Sequence, residues 1–178
     1  MAEEKKEPWL NYLALTTVIF AVCATLATFK GGSYSTARVI SQTQASDQWA
    51  FFQAKSMKGN LYEVEKEKLE LELAAMPRTV PAETREHYKK TIEDYAARVA
   101  RYNKEKAEIQ EKAKSLEEAR DSAMLHNQPF GIAVIFLQVA ILLSSIAGLF
   151  KRRGLWWLAL PVGCCGIVYF ANGFYLFM

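Results

Sequence analysis

Three stretches of this 178-residue chain contain no Asp, Glu, Lys or Arg: Pro8 to Phe29, Pro129 to Phe150, and everything after Arg153. The chain's 22 basic and 19 acidic residues all lie outside these windows. Average composition hides this, because 51% apolar and 23% charged are ordinary values. The segregation is the constraint: an uncharged apolar run of about 20 residues is the length a bilayer-crossing helix needs. The expected fold class is therefore all-α membrane protein. Three transmembrane helices are expected at 9–29, 129–150 and 155–178, with a long antiparallel coiled-coil hairpin inserted between the first and second.

The inserted segment, residues 30–128, is charged but balanced; Gly31 to Gln128 holds 16 basic and 16 acidic residues. Such a surface has no electrostatic footprint for nucleic acid. Its first arm carries Ala50, Ala54, Met57, Leu61, Val64, Leu71 and Ala75 at alternating steps of four and three, with Lys68 the one lapse. The second arm carries Tyr88, Ile92, Tyr95, Val99, Tyr102, Ile109, Ala113, Leu116 and Ala123, with lapses at Lys106 and Arg120. That spacing is a heptad seam on each arm. Pro77 and Pro81 forbid one continuous helix, so the tip is expected at 77–81. A tip centred near Thr79 sets Leu61 opposite Val99 and Gly32 opposite His126. Each arm is roughly 45 residues, or about 65 Å as helix.

Taken in order, residues 1–8 form a polar lead with Lys5 and Lys6. The Trp9 to Phe29 run is longer than the core of a cleaved signal, which favours a retained span. Gly31 and Gly32 follow and are the expected hinge, since each glycine costs a helix about 1 kcal/mol. Asn127 and Pro129 read as the start of the second span. Lys151 to Gly154 is a tight basic turn into the third, which is expected to reach the last residue, with a kink at Pro161. Basic loops mark the cytoplasmic side. With Lys5 and Lys6 on that side as well, the hairpin is periplasmic and the membrane is the bacterial inner membrane; Lys30 and Arg38 run counter to this bias. Trp9, Trp156 and Trp157 fit an aromatic belt at one interface.

The chain resembles an uncharacterised bacterial membrane-protein family known only as domain of unknown function 4337. The resemblance is carried by Trp9-Leu10-Asn11-Tyr12-Leu13, by Thr28-Phe29-Lys30-Gly31-Gly32, and most specifically by Ser41-Gln42-Thr43-Gln44-Ala45-Ser46-Asp47-Gln48-Trp49. It covers the whole chain and implies the same three-helix layout, without an activity.

Candidate functional residues are those with no evident place in a two-helix seam. Trp49, Ala50, Phe51 and Phe52 span a full helical turn. They belong either to a wide intramolecular core with one exposed aromatic or to an oligomer interface, and Trp49, Phe51 and Phe52 are assigned to the interface. Ala96, Ala100 and Ala107 form a small-residue stripe on the second arm, for a third helix or for solvent, and Ala96 and Ala100 are assigned to the interface as well. Small residues also recur in the spans: Ala14, Thr17, Ala21, Ala24 and Thr28; Ala133, Ala140, Ser144 and Gly148; Ala159, Gly163, Gly166 and Gly173. Such seams pack membrane helices closely, and Gly163 and Gly166 join the interface set. Gln138, Ser144 and Ser145 either make interhelical hydrogen bonds or line a pore.

No catalytic pattern is present. His87 and His126 lie at opposite ends of one arm and read as surface residues. Cys23, Cys164 and Cys165 match neither a disulfide framework nor a zinc spacing and read as small packing residues. No cofactor or metal is expected. The expected function is a non-enzymatic, homo-oligomeric membrane scaffold whose partners are the bilayer, its own copies and a periplasmic or membrane protein. The alternative is a pore-forming or transport-associated assembly with an efflux-adaptor-like hairpin, which is fold-level analogy only. The absence of charge in the spans weighs against ion-coupled transport.

Overall fold

A computed structural model describes residues 8–178. Residues 1–7 of the expected polar lead, Lys5 and Lys6 among them, therefore lie outside the described residues. These form three helices and no strand: α1 Pro8–Ala75, α2 Ala82–Leu149 and α3 Arg153–Tyr175. The three apolar windows fall one in each helix, and each helix is long and apolar enough to cross a membrane. Proline opens α1, where its missing N–H costs nothing.

Two expected boundaries are absent. α1 runs through Gly31 and Gly32 without a break. Gly31 has a packing reason instead: a Cβ there would stand 3.2 Å from the Cβ of Phe130, and its carbonyl accepts Asn127 Nδ2 at 2.8 Å. Asn127 thus bonds a neighbouring helix rather than capping its own, and Pro129 sits inside α2, not at a start. A proline there removes the hydrogen bond to the Leu125 carbonyl. α3 also stops short of the chain end; Leu176 turns left-handed at φ 48°, and Asn172 Oδ1 accepts the Met178 N–H at 2.9 Å.

The described chain divides into two compact units, residues 8–40 with 119–178, and residues 41–118. In the first, Phe20, Ala24 and Ala27 of α1 pack with Phe130, Ala133, Leu137 and Ala140 of α2. The ring of Phe130 meets Phe170 and Phe174 of α3 edge-on, with centroids 6.0 and 5.0 Å away. Burying such a side chain contributes about 1.5–3 kcal/mol. Near the other end of these helices Trp9, Leu13 and Ala147 form a second cluster with Trp156. Hydroxyls in the apolar windows are satisfied locally: Thr17, Thr25 and Thr28 each donate to the carbonyl four residues earlier.

The turn from α2 to α3 closes by two crossed bonds, Arg152 N–H to the Ala147 carbonyl at 3.1 Å and Lys151 N–H to that of Gly148 at 3.4 Å. This is a Schellman motif, and its left-handed position is held by Lys151 at φ 50°, not by glycine.

In the second unit, α1 and α2 contact each other with residue numbers falling along one as they rise along the other: Glu72 with Tyr88, Tyr62 with Tyr95, Lys55 with Glu105, Trp49 with Glu117. Between the helices, Arg85 Nη2 donates to the Pro77 carbonyl at 2.6 Å and to that of Met76 at 3.2 Å. The expected α2 seam is the packed face, with Tyr102, Ile109 and Ala113 buried and Tyr88, Ile92, Tyr95, Val99 and Leu116 half-buried. The expected α1 seam is not.

Candidate interaction surfaces

The α1 face turned toward α2 carries Ala45, Trp49, Phe52, Lys55, Gly59, Tyr62, Lys66, Leu69 and Leu73, all buried or half-buried. Gly59 allows the Tyr102 Cβ to come within 3.4 Å of where its own Cβ would be. Tyr62 stacks on Tyr102 with centroids 5.8 Å apart and meets Tyr95 edge-on at 5.4 Å. Lys55 lies over the rings of Phe51 and Tyr102, at 5.3 and 5.4 Å, and its Nζ reaches Glu105 Oε2 at 2.7 Å. That contact holds the Glu105 carboxyl below its ordinary range; partial burial pulls the other way and Arg101 adds attraction.

Trp49 and Phe52, assigned to an oligomer interface from sequence, both make contacts within the chain and are half-buried. Trp49 Nε1 donates to Glu117 Oε1 at 2.9 Å, and its ring meets Phe52 edge-on at 5.5 Å. Both aromatics belong to the intramolecular face, while Phe51 remains exposed. Ala96 is half-buried and Ala100 exposed, as is Ala107. The heptad residues expected to meet α2 point away from it: Met57 is 75% exposed, Leu61 61%, Val64 61% and Leu71 72%. At 100° per residue, the two α1 stripes lie on the order of 150° apart around the helix. Apolar periodicity selected the wrong one because the packed stripe includes Lys55 and Lys66, whose stems cover surface that a hydrophobicity pattern scores as polar.

In the first unit Gly163 and Gly166, assigned to the interface from sequence, are buried against other helices of the same chain. A Cβ at Gly163 would overlap the Phe20 ring, and one at Gly166 would stand 2.7 Å from Leu137 Cγ and 3.1 Å from its backbone nitrogen. These small residues serve contacts within one chain, as do Ala133, Ala140 and Ala159, which are fully buried. On α1, Ala14, Ala21 and Thr28 face outward.

The three polar residues grouped on α2 do not share a face. Ser144 is 0% exposed, and its hydroxyl has no hydrogen-bond partner. Gln138 and Ser145 are exposed on the side that also carries Gly131, Ile135 and Leu142. Ser145 Oγ donates to the Ile141 carbonyl at 2.8 Å, whereas the exposed Gln138 side chain makes no hydrogen bond among the described residues.

His126 is not a surface residue: its ring stacks on Tyr34 at 4.9 Å, and its Nδ1 lies 2.9 Å from the Gly173 carbonyl. Sequence spacing could not reveal that contact, because α3 supplies it. His87 is exposed as expected. Cys164 and Cys165 face outward and Cys23 is half-buried. Among the described residues no group of three or more His, Cys, Asp or Glu is placed to hold a metal.

The three Trp residues expected to form a belt come together. Trp9 and Trp156 lie 6.3 Å apart, Trp156 and Trp157 6.0 Å, and Trp156 Nε1 donates to Thr16 Oγ1 at 3.2 Å. Arg153 sits 5.6 Å over the Trp9 ring, a cation–π contact beside the basic turn.

Fold and surface together define an all-helical protein with three helices long and apolar enough to cross a membrane. The model of the family described as "Domain of unknown function (DUF4337)" matches residues 9–176, and the chain belongs to that family. No curated protein and no solved structure matches the chain.

Proposed function

We propose that this protein is a non-enzymatic integral membrane scaffold that assembles with its own copies and presents a coiled-coil hairpin on the periplasmic side of a bacterial inner membrane. The observation that carries the membrane reading is the outward surface of the first unit. Leu15, Val18, Val22 and Leu26 on α1, Ile135, Leu142 and Ile146 on α2, and Leu158 and Val168 on α3 are all exposed. No charge accompanies them in these windows. An apolar exterior of this extent is stable against acyl chains and unstable against water.

Orientation rests on the Lys151-Arg152-Arg153 turn, which the positive-inside bias puts in the cytoplasm. One crossing on either side, in α1 and in α2, then puts the hairpin tip at 77–81 in the periplasm. The proposed role is interaction rather than chemistry, supported by the exposed heptad stripe on α1. Carbonate extraction of membranes and cysteine labelling in intact cells test the reading. A cysteine at Thr79 is modified by an impermeant maleimide and one at Arg152 is protected. Labelling of Arg152→Cys with protection of Thr79→Cys inverts the topology, and release of the protein by carbonate removes the membrane assignment.

A second reading, a conducting or transport-associated assembly, is favoured by one observation: the Gln138 amide is exposed on the outer face of an uncharged window. In a ring of copies that face would line a lumen.

A further inference from the structure

We infer that the outward stripe of α1 in the second unit is a parallel, in-register docking surface for the same stripe of a second copy. The inference rests on the membrane scaffold reading, which makes two copies in one bilayer point the same way, and it moves the interface to a face of α1 other than the one carrying Trp49 and Phe52.

The stripe has the periodicity of a coiled-coil seam and not of a scattered set of apolar residues. Ala54, Leu61, Lys68 and Ala75 occupy one core position of the heptad, and Ala50, Met57, Val64 and Leu71 the other. An α1 helix that needed only to cover α2 would have one such seam; this helix has two on nearly opposite sides. The first is occupied within the chain by α2. The second repeats at 3.5 residues over almost four heptads, a period that keeps a stripe facing a helix partner over that length.

Charge along the stripe fits another copy of itself. Its single charged core residue is Lys68, preceded at the flanking position by Glu67. In a parallel pair each Lys68 ammonium lies beside the Glu67 carboxylate of the other helix, so the two-fold axis generates the contact twice. The same two Lys68 residues offset the like-charge approach of Glu67 to the other copy's Glu72. Neighbouring flank pairs bring no two charges together: Gln53 faces Lys58, and Asn60 faces Glu65. One polar residue at a core position is a known means of fixing register and the number of strands, at some cost in stability. A third strand would bring three Lys68 ammonium groups to one axis, which favours two.

The test uses the full chain in native membranes, with Cys23, Cys164 and Cys165 replaced by alanine and single cysteines placed at Met57, Val64, Leu71 and, as a control, at the exposed Ala97 of α2. Mild oxidation is expected to give disulfide-linked dimers from Met57→Cys, Val64→Cys and Leu71→Cys alike and none from Ala97→Cys. Adding Lys68→Glu is expected to abolish the crosslink at Leu71→Cys. A crosslink at Val64→Cys alone signals antiparallel pairing about the stripe's centre and overturns the proposal. Absence of crosslinks at all three stripe positions, from protein that carbonate does not extract, overturns self-pairing while leaving the membrane reading intact. Extraction by carbonate removes that reading separately.

Discussion

The Gly166 hydrogens of α3 face Leu137 of α2 so closely that a Cβ would stand 3.1 Å from the Leu137 backbone nitrogen and 2.7 Å from its Cγ. Backbone cannot yield as a flexible side-chain end can. Gly166→Ala is therefore expected to destabilise the first unit by about 1–3 kcal/mol, the usual cost of overpacking. Gly154→Ala meets nothing within 4 Å and is expected to be neutral there. Thermal unfolding in mild detergent separates the two, and equal melting of Gly166→Ala and wild type contradicts this packing.

Trp49→Ala combined with Phe52→Ala is expected to loosen the contact between α1 and α2 without lowering the particle mass. Both rings pack within the chain, and the first change also removes the hydrogen bond to Glu117. Full burial of one large aromatic is worth about 3–5 kcal/mol on truncation; these half-exposed rings are expected to lose about half of that each. Circular dichroism melting and mass photometry, run on the same purified sample, give the two readouts. A fall in mass at unchanged melting temperature would return these aromatics to an interface.

Stability is expected to fall in acid through Glu105. Its carboxyl titrates lower folded than unfolded, chiefly because of the Lys55 contact. A depressed carboxylate contributes stability that is present above the unfolded value and is lost as pH falls through the folded one. The window therefore lies at and below the ordinary carboxylate range. Lys55→Met should raise the pH at which Glu105 titrates, followed by carboxyl carbon chemical shifts. An unchanged titration in that variant shows the pair to be insignificant in solution.

On the scaffold reading, planar bilayers containing the purified protein conduct no more than lipid alone, and Gln138→Leu changes neither current nor mass. Current through the wild type that falls in Gln138→Leu at unchanged mass replaces the scaffold with a conduit.

Sequence by itself determined where helices long enough for a membrane lie, where the inserted segment turns, and which face of α2 packs. Uncharged runs, Pro77 with Pro81, and an unambiguous apolar seam from Tyr88 to Ala123 are each local signals with one physical reading. Tertiary structure decided the rest. It carried α1 through Gly31 and Gly32, because Phe130 and Asn127 occupy the space beside Gly31. It placed Pro129 within α2 and assigned Gly163 and Gly166 to contacts inside one chain. It also chose between the two stripes of α1. A hydrophobicity pattern ranks side chains by transfer from water, and by that measure Met57, Leu61, Val64 and Leu71 outrank Lys55, Gly59, Tyr62 and Lys66. Packing instead rewards shape: a missing side chain at Gly59 admits Tyr102, and Tyr62 fits between Tyr95 and Tyr102. Complementarity belongs to pairs of surfaces, and a single helix's sequence holds only one member of each pair.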